Sequence, residues 1–144
     1  MSEGEEHSVE PEALAEALAA EHAAVHGYEF LRGVAESAPR RDSAGEHARR
    51  HKALRDTLHA AAVDRGVEPE PARPSYPLPE ERDQASLDAY ATGLEETAAR
   101  AYLWLAASDD AELRSTAARA LQETTVRALR WGGALDALPG FEQA

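Results

Sequence analysis

A chain of 144 residues with 43% apolar content can fill one hydrophobic core and is too short for two ordinary domains. A formal net charge of -12 argues against nucleic acid or an anionic membrane as a partner, and the absence of cysteine excludes disulfides, thiolate metal sites and cysteine nucleophiles. No stretch approaches the ~20 apolar residues of a membrane span, and the opening "MSEGEEHSVEPE" has neither a basic flank nor an apolar run, so a soluble cytoplasmic protein is expected.

Four helical segments follow in chain order. After an acidic tail at 1–8, Pro11 suits an opening helical turn, and the first helix is expected over about 9–37, stopped by Pro39. Its inward stripe reads Leu14, Leu18, Glu21, Val25, Tyr28, which places a carboxylate where carbon is expected. The second helix spans about 43–65, with Ser43 and Glu46 at capping-box spacing and Gly66 beyond its end. The third, about 83–107, carries Leu87, Tyr90, Leu94, Ala98, Ala101 and Leu105 on one side. The fourth, about 110–131, follows Leu113, Ala117, Leu121, Thr124, Ala128 and Trp131, and a short tail occupies 139–144.

Connection lengths set the expected topology. Short links between the first and second helices and between the third and fourth imply two antiparallel hairpins. The segment 66–82 holds five of the eight prolines and should run extended at ~3.1 Å per residue, roughly 50 Å in all. A helix of about 24 residues is only about 36 Å long, so this segment can return the chain along the whole bundle. The expected fold is therefore all-α: a ferritin-like four-helix bundle over 9–138, two antiparallel hairpins joined by a long Pro-rich crossover.

The segments "AEHAAVHGY", "HKALRDTL", "SYPLP", "LEETAARAY", "VRALRW" and "LPG", in that order and spacing, resemble the actinobacterial ferritin-like domain family of unknown function, from Ala13 to Gly140. The resemblance implies a ferritin-like bundle, in dimers, with no established activity.

A di-iron carboxylate bundle needs a Glu from each of two helices and Glu-x-x-His from each of the other two, because hard carboxylates bridge the metals and imidazoles complete their shells. Here Glu21, Glu95 or Glu96, and Glu123 supply carboxylates, but Val126 stands three beyond Glu123 and Ala48 stands three before His51, so both diagnostic pairs are broken. Residues 95 and 123 are equidistant from a turn centred on 109, which brings Glu95 and Glu123 to one height. With a first turn centred near 40, Glu21 lies level with Leu58 or His59, with Arg55 one turn away and His51 nearer the loop.

A buried unpaired carboxylate costs several kcal/mol, so Glu21 requires a partner. The favoured reading is a buried polar cluster of Glu21, Arg55, His59, Glu95, Glu123 and Arg127, neutralised chiefly by Arg55 or Arg127 through their planar forks. On that reading, Arg55→Ala destabilises more than His51→Ala. The alternative is a reduced metal site on Glu21, His51, Glu95 and Glu123, holding iron, manganese or zinc at less than one equivalent; an organic ligand pocket between the helices is a further one. The pairs His22/His26 and His47/His51 each share a helix face but lack a third ligand at defined spacing. Tyr28 and Tyr102 lie near the carboxylates, and the apolar run "ATGLEETAARAYLWLAA" offers a surface for self-association. The functional expectation is a protein without catalytic residues or a cofactor that acts by self-association or by binding a partner or ligand. A metal-dependent oxidoreductase or ferroxidase-like protein is the alternative.

Overall fold

The computed structural model describes residues 2–132. Among them the chain forms four α-helices and no strand: α1 (Ser2–Val34), α2 (Ala38–Asp64), α3 (Gln84–Leu105) and α4 (Ala111–Arg130). α1 packs along both α2 and α3, and α3 packs along α4, giving an all-α four-helix bundle.

The helix boundaries follow from local chemistry. Ser37, in extended backbone, caps α2 by accepting from the Arg40 amide at 3.3 Å, and Pro39 sits in the first turn, where its missing N–H is no loss. Pro39 thus opens α2 and does not close α1, and the reversal occupies only residues 35–37. This corrects the expected start at 43; the pair Ser43 and Glu46 lies inside a helix that is already running. Pro11 likewise lies within α1 and not at its opening. At the other end of α2, Gly66 adopts φ +67°, and the Val67 amide reaches back to the Ala62 carbonyl at 2.9 Å. Asp83 caps α3 through the Ser86 amide, and Asp110 caps α4 through the amides of Glu112 and Leu113. The expected C-terminal tail, 139–144, and the motif "LPG" lie outside the described residues.

Burial divides the interior into two apolar halves. One gathers Leu14, Leu18, Leu58, Tyr102, Leu105 and Leu113 with their alanine neighbours; the other gathers Ala24, Tyr28, Leu31, Ala44, Ala48, Leu87 and Ala91. In α1, α2 and α3 the residue between the halves is ionisable: Glu21, His51 and Glu95. The inward stripe of α3 therefore runs Ala91, Glu95, Ala98, Tyr102, Leu105. Leu94 and Tyr90 lie to one side, against Gly27. In α1 the seam uses Ala24, whereas Val25 is only half-buried.

Two arginines tie the ends of α2 to other helices. Arg40 grips Asp88 with two hydrogen bonds of 2.9 and 2.8 Å, and Arg65 bonds both Asp110 and Glu112. The Arg65 guanidinium, with the capping amides, holds the Asp110 carboxyl down at about 2. The connection between α2 and α3 docks on successive turns of α1. His22 Nε2 donates to the Glu70 carbonyl at 2.9 Å, the His26 ring meets Tyr76 at 5.1 Å between centroids, and Arg82 lies over the Phe30 ring at 5.3 Å. His22 and His26 therefore serve as seats for the connection.

Helical glycines give a test of this packing. A Cβ at Gly93 would meet nothing within 4 Å, so Gly93→Ala should stabilise the protein by about 0.5–1 kcal/mol through helix propensity. At Gly27 a Cβ would stand 2.6 Å from Leu94 Cδ1 and 2.7 Å from the Tyr90 hydroxyl. Gly27→Ala should therefore melt below Gly93→Ala in thermal unfolding.

Candidate functional site: a buried charge layer

Each helix contributes one charged side chain to the layer that separates the two apolar halves. Glu21, His51 and Glu95 are fully buried, and Arg127 is 6% exposed. His51 stands between the two carboxylates, Nδ1 bonded to Glu21 Oε1 and Nε2 to Glu95 Oε2 at 2.8 Å. A ring with a carboxylate on each nitrogen is an imidazolium that donates twice. All four carboxylate oxygens are committed. The Tyr102 hydroxyl donates to Glu21 Oε2 at 2.5 Å, the Tyr28 hydroxyl donates to Glu95 Oε2 at 2.5 Å, and Arg127 Nε donates to Glu95 Oε1 at 3.1 Å. Tyr28 additionally stacks on the His51 ring, 13° from parallel. Two carboxylates face two cations, so the layer is neutral overall.

The electrostatics follow from this geometry. Burial by itself disfavours the imidazolium, but the charges and hydrogen bonds of Glu21 and Glu95 outweigh it and raise His51 to about 9. Burial likewise disfavours ionised Glu95, yet the bonds from His51 and Tyr28 and the charges of His51 and Arg127 keep its carboxyl below the ordinary range. Burial and the adjacent carboxylates push Tyr28 and Tyr102 well above 10, so both remain hydroxyl donors.

One turn before His51, His47 behaves in the opposite sense. Its Nδ1 accepts from the Trp131 indole N–H at 3.1 Å, and burial lowers it to about 4. It is a neutral ring with the proton on Nε2.

The expected site residues divide into two groups. Glu21, Glu95, Arg127 and His51 meet directly. Glu123 is partly exposed and turns away to a two-bond pair with Arg50, at 2.6 and 2.7 Å, touching Arg127 only at 3.5 Å. Arg55 does not reach Glu21; it is partly exposed and bonds Asp56, and His59 is exposed. Helix phase and turn position explain the difference. The inward face of α2 runs Ala44, Ala48, His51, Leu58, Ala62, with Arg55 off its edge. With the reversal at 35–37, residues equidistant from 36 sum to 72, which Glu21 and His51 satisfy. Placing the turn four residues later shifts the expected partner by eight, to His59. His47, Trp131 and Tyr28 as a ring cluster around His51 were not foreseen, although His47/His51 spacing placed both rings on one face.

The donor set does not suit a di-iron centre. His51 spends both nitrogens on carboxylates, a guanidinium occupies the α4 position, and the α4 carboxylate points elsewhere. Among the described residues no group of three or more His, Cys, Asp or Glu is arranged to hold a metal ion.

The two histidines predict opposite pH limbs. His51, raised from 6.5 to about 9, contributes stability that is full below pH 6.5 and is lost as pH rises through 9. His47, lowered from 6.5 to about 4, contributes stability that is full above pH 6.5 and is lost as pH falls through 4. The His51 limb is worth on the order of a few kcal/mol, and the His47 limb less, because its ring borders a groove open to solvent. Thermal unfolding across this range should peak near neutrality. His51→Gln should lower the peak and abolish the alkaline limb, His47→Gln should flatten the acid limb, and Arg55→Ala should change stability by less than about 0.5 kcal/mol at any pH.

The fold has a solved counterpart. The crystal structure of a conserved hypothetical protein, Rv2844, from Mycobacterium tuberculosis superposes with a TM-score of 0.80 at 28% identity, covering 86% of this chain and 95% of that one. No curated protein matches the chain. The model of the family described as "Domain of unknown function (DUF4439)" matches residues 13–143, and the chain belongs to that family.

Proposed function

We propose that this protein is a ferritin-like bundle without a complete di-iron site, non-enzymatic, and acting by association with a second copy and with a partner or ligand. The observation that carries the reading is the commitment of both His51 nitrogens to the carboxylates of Glu21 and Glu95, with Arg127 supplying the second cation. Side-chain cations there neutralise the carboxylates that metals neutralise in a di-iron bundle. The ferritin-like arrangement of two hairpins is supported by the docking of Glu70, Tyr76 and Arg82 on successive turns of α1, since a connection that follows a helix can carry the chain from one end of the bundle to the other. Self-association is supported by large apolar side chains left on the surface, Trp104 at 39% exposure and Val126 and Leu129 at 49% and 40%.

The alternative, a reduced metal site on Glu21, His51, Glu95 and Glu123, draws support from the convergence of the first three. It requires Arg127 to withdraw and Glu123 to leave Arg50. Metal analysis separates the two. Protein made without a histidine tag should carry iron, manganese and zinc well below one equivalent, consume no dioxygen with ferrous iron, and scatter light as a dimer. Stoichiometric metal, or ferrous-dependent oxygen uptake that is lost in Glu95→Gln, would overturn the proposal.

A further inference from the structure

A second polar feature lies outside the charge layer. Between α2 and α4 runs a groove of about 420 Å³, open to solvent, whose floor is His47 and Arg127 and whose rim is Glu46, Arg49, Arg50 and Arg130. Four guanidinium groups against one carboxylate is the reverse of a chain that carries -12. Glu123 answers Arg50 and Glu95 answers Arg127, but Arg49 and Arg130 have no ion pair among the described residues. Like charges on facing helices repel unless an anion joins them.

The floor carries one buried donor that no protein atom receives. Arg127 Nη2 is buried and has no hydrogen-bond partner. Such an atom destabilises the fold unless it is met. The His47 ring, which also lines the groove, holds its proton on Nε2 because Nδ1 accepts from Trp131, and so carries a second donor. From these observations we propose that the α2–α4 groove binds a phosphate group, either free or as the head of a small phosphorylated molecule. A tetrahedral oxyanion can accept from the floor and from the guanidinium forks of both helices at once, whereas a carboxylate presents a single edge. The volume falls within the ~300–1,000 Å³ of small-molecule sites and leaves room beyond the anion. The inference shares Arg127 with the charge layer and requires it to hold the position described above.

The test is titration of the full chain with inorganic phosphate in phosphate-free, low-salt buffer, following the Trp131 indole N–H by NMR. The expected result is a saturable one-site shift. The rim variant Arg49→Gln/Arg130→Gln, which removes exposed side chains, should weaken it by about tenfold or more, and His47→Gln should weaken it as well. The control Arg73→Gln/Arg119→Gln changes net charge equally at exposed positions away from the groove and should change affinity less than about twofold. Glycerol 3-phosphate binding more tightly than inorganic phosphate would assign the site to a phosphorylated molecule, and equal binding would assign it to free phosphate. No saturable shift, equal weakening in the control, or acetate binding as well as phosphate would overturn the proposal.

Discussion

One imidazolium, held between two carboxylates that share no other bridge, governs the interior of this bundle. Glu21 and Glu95 approach the same point from α1 and α3, where there is no exposed surface to hydrate them. Two buried anions at one depth repel each other, and each alone would lose several kcal/mol of hydration. His51 answers both at once because its nitrogens point in opposite directions. Arg127 adds the cation that brings the layer to neutrality.

The layer has a structural consequence beyond charge balance. A purely apolar core built largely from alanine and leucine tolerates a helix sliding or rotating by a turn, since one small side chain resembles another. A cross-section that draws a charged partner from each of four helices does not: moving any one of them along its axis by a turn, about 5.4 Å, leaves an unpaired charge in the core. The layer thus acts as a register lock for the bundle. The polar pairs Arg40 with Asp88 and Arg65 with Asp110 act in the same sense at the ends of α2. His47 and Trp131 extend the polar contacts from the layer to the groove, so that the interior and the anion site share one wall.

Much of this was legible in the sequence, and the rest failed for identifiable reasons. The four helices could be read from periodicity, and the placement of Glu21 on an inward seam followed from spacing alone. Glu95 was one of two adjacent candidates, and only the helix phase seen in the fold chooses it over Glu96, which is exposed. The partner of Glu21 was missed through a single residue: Pro39 can end one helix or open the next, and Ser37, two residues before it, decides for the second. That choice moves the turn and exchanges His51 for His59. Arg127 was one of two arginines, with Arg55, that could neutralise the buried carboxylates, and the structure brings only Arg127 to them. The commitment of Glu123 to Arg50 was not, because it depends on how α2 and α4 face each other, and no periodicity within either helix records that.

The central claim concerns the protonation of one ring, and nitrogen NMR of His51 in the untagged protein tests it directly. At about pH 7.5, above the ordinary histidine range, both ring nitrogens should carry protons, each coupled to a hydrogen-bonded N–H resonance that survives until the alkaline transition. A neutral His51 at that pH, with one bare nitrogen, would contradict the account.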